Sequence, residues 1–341
     1  MKVLYCKKPT IFEEKHEQIL TPRKDEALVK ITRIGICGTD IHAYNGNQPF
    51  FTYPRVLGHE LSGEIIELQD EITNLTVGDR VTIIPYLQCG DCIACRNNKP
   101  NCCTSLNVLG VHIDGGMKEY MTIPTSHLLN ANTITDDDAA LVEPLSIGAH
   151  AVTRANLVKG QTVLVIGAGP IGLAVMKFAK LAGVTVIGMD VNNERLQFCK
   201  EWAEVDYLVN AKEDALAKIE QLTDGNFPTT VFDATGNQAS MNHAINYVSH
   251  GGKLVFVGLI KGEIAFSSPE FHKREMTLLG SRNATKEDFN YVIKCIEQEL
   301  VDTKALITNR ITMSDLVTSF QELTSPANNV IKSIIVMDNS I

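Results

Sequence analysis

The sequence predicts an α/β protein with two domains, a β-barrel and a doubly wound parallel sheet. The chain has 341 residues, and a single hydrophobic core usually stops growing beyond about 250–300 residues. The spacing of the apolar residues also changes after Glu143. Before that residue the pattern is typical of short strands, and after it of strands that alternate with helices.

The first domain is predicted to be all β. Short runs of β-branched and apolar residues occupy residues 27–34, 63–68 and 80–84. Turn residues such as Gly58 and Gly115 separate the runs. Short strands punctuated in this way are typical of a compact barrel.

The second domain is predicted to consist of repeated βα units. Its alternating strand and helix segments are residues 162–166, 171–182, 185–189, 193–202, 230–234, 238–248, 253–257 and 276–280. Strands that are joined through helices run parallel, which predicts the doubly wound sheet.

The end of the chain is predicted to return to the first domain. Thr285, with Asp288 in the first turn, opens one helical pattern, and a second helical pattern follows. Residues 331–336 then form an isolated apolar strand, which needs a sheet to join. The expected boundaries are residues 1–148 with 283–341 for the barrel domain and 149–282 for the inserted domain.

Charge and hydropathy exclude several kinds of partner. The formal net charge is −9 and no run of Lys and Arg offsets it, so nucleic acid is not expected to bind. The N-terminus lacks the apolar core of a secretory signal. Glycines, Pro170 and two lysines interrupt the most apolar stretch, residues 162–189, which is wrong for a membrane span. We expect a cytoplasmic protein that acts on a small molecule and has no membrane partner.

A glycine-rich motif follows the first strand of the second domain. Its residues are Gly167, Ala168, Gly169, Pro170, Ile171 and Gly172. The first glycine permits a tight turn, the second lets the backbone approach a pyrophosphate, and the third allows close packing of helix on strand. The helix N-terminus also favours a phosphate group. Taken alone the motif fits a plain glycine-rich turn, but the strand before it and the helix after it predict a dinucleotide site.

The end of the next predicted strand bears on the choice of cofactor. A carboxylate at Asp190 would accept hydrogen bonds from the adenosine ribose and repel a 2′-phosphate, which favours NAD over NADP. Alternatively, Asp190 caps the helix predicted at 193–202, and the nearby Arg195 could bind a phosphate. The candidate ribose and nicotinamide contacts at later strand ends are Thr235, Val257, Gly258 and Leu259.

Four of the nine cysteines have the spacing of a structural zinc site. They are Cys89, Cys92, Cys95 and Cys103, in the pattern C-x2-C-x2-C-x7-C. Four thiolates so spaced can surround one zinc and leave no coordination position open. An iron–sulfur motif would have its last cysteine sooner and followed by proline, whereas Thr104 follows here. Cys102 is expected to be a free buried thiol, and alternatively it could replace Cys103.

A second group of possible metal ligands is dispersed along the chain. It consists of Cys37, His59, Glu60 and Glu143. A thiolate, an imidazole and carboxylates, with water completing the set, suit a catalytic zinc. From spacing alone these residues also fit packing or surface positions.

Taken in order, these motifs resemble the zinc-containing medium-chain dehydrogenases, over nearly the whole chain. The resemblance is closest to the sorbitol and threonine dehydrogenase branch. The segment from Gly280 to Asn283 looks like members that act on sugar acids such as galactonate or gulonate. The resemblance implies a GroES-like barrel with an inserted Rossmann domain, two zinc ions and NAD per subunit, and homodimers or homotetramers. A subunit contact through an edge strand near residues 253–259 is implied as well.

The resemblance also implies roles for the second group. Cys37 and His59 match the catalytic zinc ligands, and Glu60 matches the third ligand of the polyol branch. Glu143 matches a carboxylate that binds zinc directly or in exchange with water. Alternatively, either glutamate orients a ligand without binding the metal.

By the same resemblance, Thr39 takes the proton of the alcohol and His42 releases it to solvent by way of the cofactor ribose. Alternatively, Thr39 stabilises a turn and His42 is a polar residue on a helix. Arg282 could pair with a substrate carboxylate, or form a structural ion pair at the domain boundary.

The resulting hypothesis is an NAD-linked, zinc-dependent dehydrogenase that oxidises a secondary alcohol of a sugar acid, such as a hexonate at C5. Galactitol, sorbitol, butanediol and threonine are alternative substrates. The competing classes are a silent nucleotide-binding relative, a zinc-ribbon interaction module, and an NADPH-dependent reductase of carbonyls or quinones.

Overall fold

In the computed structural model, which describes residues 1–48, 51–69, 74–323 and 330–337, the chain folds into two compact units. The first unit contains Met1–Glu143 and Thr285–Ile341, and the second contains Pro144–Ala284. The boundaries expected at residues 148 and 283 are therefore displaced by a few residues. One helix, Asp136–Ala155, continues through the first division, and Pro144 lies inside it at that point.

The strands, in chain order, are β1 (Lys2–Lys8), β2 (Ile11–His16), β3 (Glu26–Ile36), β4 (Arg55–Val56), β5 (Glu60–Leu68), β6 (Arg80–Ile83), β7 (Tyr86–Leu87), β8 (Asn107–Val108), β9 (Tyr120–Pro124), β10 (Leu128–Asn130), β11 (Thr162–Ile166), β12 (Thr185–Asp190), β13 (Tyr207–Asn210), β14 (Thr230–Asp233), β15 (Lys253–Phe256), β16 (Thr277–Gly280), β17 (Ile307–Thr312) and β18 (Lys332–Val336). The helices are α1 (Gly38–Tyr44), α2 (Ile93–Arg96), α3 (Asp136–Ala155), α4 (Pro170–Leu181), α5 (Asn193–Trp202), α6 (Ala215–Leu222), α7 (Gln238–His243), α8 (Ser268–Lys273), α9 (Lys286–Glu297), α10 (Thr303–Leu306) and α11 (Met313–Leu323).

The main sheet of the first unit has seven strands, in the order β10-β6-β5-β3-β18-β17, with β9 also paired to β3. A three-stranded sheet, β2-β1-β4, and a two-stranded sheet, β7-β8, complete the unit. The strand expected at residues 331–336 is β18, and it pairs antiparallel with β3, with Ile334 opposite Gly35. The last strand of the chain therefore lies beside one of the first.

The core of the first unit lies between its strands and helix α11. Large side chains with almost no exposure fill it, among them Ile34, Leu61 and Phe320. Phe320 of α11 packs on the rings of Phe12 and Tyr44, with centroids 5.2 and 4.7 Å away. This contact fixes α1, which carries Tyr44, against the tail of the chain.

The second unit contains a six-stranded parallel sheet in the order β13-β12-β11-β14-β15-β16. The predicted doubly wound sheet is thus confirmed. The strand order reverses between β11 and β14, and ligands of such sheets bind at the carboxyl ends of the strands at this point. The glycine-rich motif follows β11 directly.

Several elements differ from the predicted ones. Strand β13 was not predicted. The helix predicted at residues 238–248 is α7 followed by a 3-10 turn at Ala244–Tyr247. Strand β17 separates the two helical patterns of the tail. None of the helices in the described ranges is long and apolar enough to cross a membrane.

Candidate active site and metal centres

The four predicted cysteines lie together. The Sγ atoms of Cys89, Cys92, Cys95 and Cys103 are all within 4.8 Å of one another. Backbone N–H groups point at them, such as that of Cys89 at 3.3 Å from the sulfur of Cys103. The backbone N–H of Cys95 lowers the pKa of Cys92 to about 5, which favours the thiolate that binds metal. Cys102 is exposed and lies outside this group.

Three residues of the second group also converge. Potential ligand atoms of Cys37, His59 and Glu60 lie within 4.8 Å of one another. Cys37 occupies the N-cap of α1, and Glu60 begins β5 directly after His59. Both His59 and Glu60 are buried. Glu143 is not a member of this group within the described ranges.

Asp40, which was not predicted as a site residue, joins the segment that carries Cys37 to the segment that carries His59. Its buried carboxylate accepts hydrogen bonds from the N–H of Cys37 at 2.9 Å and from the N–H of Gly58 at 3.2 Å. It also lies 3.7 Å from Nδ1 of His59. Burial disfavours the charged imidazole, but Asp40 and Cys37 outweigh it and hold the pKa of His59 well above its usual value. An acidic residue three positions after an N-cap is the sequence signal of this contact.

The donor atoms of this group fit a zinc ion. A sulfur, an imidazole nitrogen and a carboxylate oxygen are the usual protein ligands of a catalytic zinc. Nδ1 of His59 is buried and has no hydrogen-bond partner in the described part of the chain, an arrangement that is costly unless the atom is satisfied by an ion or water. The residues present therefore suit a divalent metal.

Each of the two glutamates has a buried partner that the sequence argument missed. Nζ of Lys332 donates to both carboxylate oxygens of Glu60, at 2.6 and 2.7 Å. The hydroxyl of Tyr86 donates to Glu143. Burial raises the pKa of Glu143 to about 7. A lone lysine in a buried strand was a signal for the first contact, whereas nothing in the sequence marks Tyr86.

Thr39 and His42 both lie on α1. They are three residues apart, so they share one side of the helix. Thr39 is half-buried and follows Cys37 by two residues, whereas His42 is exposed. The helix therefore connects the surroundings of Cys37 with solvent.

The glycine motif has the geometry of a phosphate-binding loop. Gly167 has a φ of +98°, a conformation that favours glycine. A Cβ at Gly172 would overlap the carbonyl oxygen of Gly167, whereas a Cβ at Gly169 would meet open space. Gly169 is the N-cap of α4, and Pro170 is at the first helical position, followed by Ile171. The loop thus leaves room beside Gly169 and the free N–H groups of α4.

Asp190 lies beside this loop at the end of β12. Its two oxygens accept hydrogen bonds from the N–H of Ala168 at 2.6 Å and from that of Asn192 at 2.9 Å. The cap of α5 is Asn192, which accepts from the N–H groups of Glu194 and Arg195. The alternative that Asp190 caps this helix is therefore wrong.

The remaining cofactor candidates follow β14 and β15. Asp233, fully buried, accepts hydrogen bonds from the Thr235 hydroxyl at 2.6 Å and the Ser240 hydroxyl at 2.7 Å. Its backbone oxygen also accepts from Val257 and Gly258. Asp233 thereby holds both strand ends in place, and Leu259 beyond them is exposed. Arg282, the candidate substrate contact, is exposed and follows β16.

Comparison with known proteins identifies the family. Residues 23–133 match the alcohol dehydrogenase GroES-like domain, and residues 170–298 match the zinc-binding dehydrogenase domain. The chain is 44% identical over 335 residues to the L-galactonate-5-dehydrogenase of Escherichia coli (strain K12), with 98% of each chain covered. The chain belongs to the zinc-type alcohol dehydrogenase family.

Further relatives of this dehydrogenase agree. It is 31% identical to a sorbitol dehydrogenase of Bacillus subtilis (strain 168), with 91% of this chain and 90% of the relative covered. A crystal structure of RspB from E. coli CFT073, complexed with NADH, superposes with a TM-score of 0.92 at 31% identity, covering 98% and 99% of the two chains. The predicted family, the fold class and the alcohol dehydrogenase activity are confirmed.

Proposed function

We propose that this dehydrogenase oxidises a secondary alcohol of a sugar acid, with a hexonate as substrate, zinc at the Cys37 group and NAD as hydride acceptor. The observation that carries the chemistry is the convergence of the half-buried Cys37 with the buried His59 and Glu60. The chain is 44% identical to an L-galactonate-5-dehydrogenase over 98% of its length, and this similarity supports the sugar-acid substrate.

We propose Glu60 as the third ligand of the catalytic zinc. Its oxygens already lie with the potential ligand atoms of Cys37 and His59, whereas Glu143 is outside that group and bonded to Tyr86. Glu143 then orients its neighbours from outside the coordination shell. The four cysteines hold a second, structural zinc, which gives two ions per subunit.

Zinc bound there would polarise the substrate hydroxyl and lower its pKa. The Thr39 hydroxyl, two residues from Cys37 and half-buried, would accept the alcohol proton while it passes its own hydroxyl proton onward, by way of the cofactor ribose, to His42. His42 is exposed on the same side of α1, where its imidazole can release a proton to solvent. Together they form the path by which the proton leaves.

NAD rather than NADP is the proposed cofactor. Asp190 is held at the phosphate loop by two backbone N–H groups, where its charge opposes a 2′-phosphate. Arg195, at the start of α5, is the residue that could offset this charge. The loop from Gly167 to Gly172 takes the pyrophosphate, and Thr235, Val257, Gly258 and Leu259 contact the nicotinamide half.

Arg282 is the proposed partner of the substrate carboxylate, because a guanidinium binds a carboxylate through two parallel hydrogen bonds. A neutral polyol is the second candidate substrate, favoured by the sorbitol dehydrogenase relatives. Arg282→Ala should raise KM for a hexonate and leave KM for the matching hexitol unchanged. An equal rise in KM for both substrates would contradict a contact between Arg282 and the carboxylate, and no change for either would place Arg282 outside the site.

We also propose a homodimer or homotetramer in the cytoplasm. All nine cysteines are free, as is usual for proteins of reducing compartments. Strand β15 lies between β14 and β16, so the contact expected at residues 253–259 cannot use a free strand edge there. Strand β16 is the edge of this sheet, and its Leu278 is exposed, which makes β16 the proposed subunit contact.

The test is NADH formation by the zinc-loaded protein over hexonates, hexitols, phosphorylated hexitols, diols and threonine, with and without a chelator. Chelator-sensitive turnover of a hexonate is expected. Turnover of a hexitol alone would replace the proposed substrate by a polyol. The absence of NADH with every alcohol would contradict an alcohol dehydrogenase and favour a nucleotide-binding protein without turnover.

A further inference from the structure

Glu60 reaches across a neighbouring strand to meet its partner. In the main sheet of the first unit, Glu60 of β5 lies opposite Gly35 of β3. Ile334 of β18 lies on the other side of Gly35. Lys332 lies on the same face of β18 as Ile334, because side chains two residues apart on a strand point to the same face. A Cβ at Gly35 would overlap the Glu60 carboxylate. The missing side chain of Gly35 therefore opens the passage from Glu60 to Lys332.

Lys332 is fully engaged at this place. It is 4% exposed, and its ammonium group donates to the two oxygens of Glu60 and to the carbonyl oxygen of Ile36 at 3.2 Å. These three acceptors use its three N–H bonds. Because Ile36 precedes Cys37, one side chain from the end of the chain fixes both segments that carry the metal-binding group.

The contact between Lys332 and Glu60 matters because a buried carboxylate needs a positive partner. Glu60 has no exposed surface, and a carboxylate buried without a positive partner is strongly destabilising. Without metal, the ammonium of Lys332 is the positive group that donates hydrogen bonds to both oxygens of Glu60. A divalent cation bound to Glu60 would compensate the same carboxylate, so ammonium and metal compete for its negative charge.

We propose that Lys332 is a positioning residue that holds Glu60 ready beside Cys37 and His59 and competes with the metal for its charge. Lys332 therefore weakens the hold of the site on zinc. It also limits the negative charge that Glu60 donates, which leaves the ion more able to polarise a substrate hydroxyl. This inference rests on the proposed assignment of zinc to the Cys37 group.

Lys332→Met in the full-length protein tests the proposal, because it keeps the length of the side chain and removes the charge. The measurement is zinc release into a chromophoric chelator. Zinc should leave the wild type in two kinetic phases, one for each site. The phase that disappears in Cys37→Ser is the release from the Cys37 group, and the other is the release from the four-cysteine site. We expect release at least tenfold slower than in the wild type. Unchanged or faster release would overturn the proposal.

Thermal unfolding gives a second measurement. By linkage, a variant that binds zinc more tightly must lose less stability with zinc than without it. The melting temperature of Lys332→Met should therefore fall more in the metal-depleted protein than in the zinc-loaded protein. Equal losses would show that Lys332 only supports the fold.

Two further variants keep the test decisive. If metal-depleted Lys332→Met does not fold, the double variant Lys332→Met/Glu60→Gln should fold, because it has no unpaired buried charge; its failure would overturn the proposal. Lys332→Arg keeps the positive charge, so its zinc release should be as fast as that of the wild type. Lys177, which is 8% exposed and pairs with Glu204 at 3.0 Å, is the matched control, since Lys177→Met should leave zinc release unchanged.

Failure of this inference is distinguishable from failure of the proposed function. Zinc release and unfolding are measured without a substrate, so a wrong hexonate assignment leaves both results interpretable. Wild-type protein with one zinc and one release phase would instead contradict the metal assignment itself.

Discussion

Asp40, Tyr86 and Lys332 show how single buried polar residues shape the candidate site. Asp40 binds the backbone beside Cys37, and the other two each hold one glutamate. None of them was predicted to bind metal, cofactor or substrate. They arrange the predicted residues through hydrogen bonds that replace the water lost on burial.

The two glutamates should differ in their effect on zinc content. Glu60→Gln removes a charged ligand from a group whose atoms lie within 4.8 Å, so we expect one zinc per subunit instead of two and loss of turnover. Glu143→Gln should keep two zincs, because its carboxylate faces Tyr86. Elemental analysis of both variants is the measurement. If Glu143→Gln held one zinc and Glu60→Gln held two, Glu143 and not Glu60 would be the third ligand of the catalytic zinc.

Asp190 should determine the preference of the enzyme for NAD over NADP. Asp190→Ser removes the charge that opposes a 2′-phosphate, so the ratio of kcat/KM for NADP to that for NAD should rise. Loss of a hydrogen bond from a charged group costs about 1.5–3 kcal/mol, which is roughly a 10- to 100-fold weaker use of NAD. Steady-state kinetics with both cofactors measure this. An unchanged ratio would show that Asp190 only supports the loop, through its bond to Ala168.

At the scale of elements, the turn from β11 to α4 depends on two glycines for different reasons. Gly172→Ala should lower the melting temperature and abolish NAD binding, because the added Cβ would overlap the backbone oxygen of Gly167. Gly169→Ala should keep the melting temperature and weaken NAD binding, because its Cβ would fill open space where the pyrophosphate approaches. Calorimetry of unfolding and of NAD binding separates the two. Equal destabilisation by both would contradict this reading of the turn.

The N-terminus of α3 is tied to the sheet of the first unit by charge. Asp137 pairs with Arg33 at 2.7 Å and with Arg310 at 2.8 Å. Burial opposes ionisation, but the two arginines outweigh it and lower the pKa of Asp137. The stabilisation is therefore fully present above about pH 4, the ordinary range of an aspartate, and is lost as the pH falls through the lowered pKa.

Asp137→Asn should reduce the free energy of unfolding by about 1 kcal/mol at pH 7, a value typical of partly exposed ion pairs. The difference from the wild type should shrink as the pH falls below the range in which the aspartate ionises. Denaturant unfolding between neutral and acidic pH measures it. A difference that is constant with pH would exclude a charge effect.

At the scale of the whole molecule, the edge strand β16 is the proposed subunit contact. Leu278 is 40% exposed there, and Leu278→Lys places a charge on both copies of a symmetric contact. We expect the mass in solution to fall to that of a smaller assembly. Leu216 of α6, 41% exposed, is the matched control, and Leu216→Lys should keep the wild-type mass. Light scattering decides; an unchanged mass for Leu278→Lys would place the contact elsewhere.

Much of the fold could be predicted because its signals are local. The βα units of the second unit each carry their own apolar period, and α5 was predicted with its observed bounds, Asn193–Trp202. The apolar pattern changes after Glu143, where the structure divides the chain, whereas the predicted boundary lies five residues later, at residue 148.

The sequence by itself determined the four-cysteine group and the phosphate loop, since the residues of each lie close together along the chain and local turns bring them together. Only the tertiary structure decided which glutamate joins Cys37 and His59. Lys332 is 272 residues from Glu60, and Tyr86 is 57 residues from Glu143. Lys332 meets Glu60 because the strand order β5-β3-β18 places the strand that carries it two positions from the strand of Glu60, and spacing along the chain carries no signal for either contact.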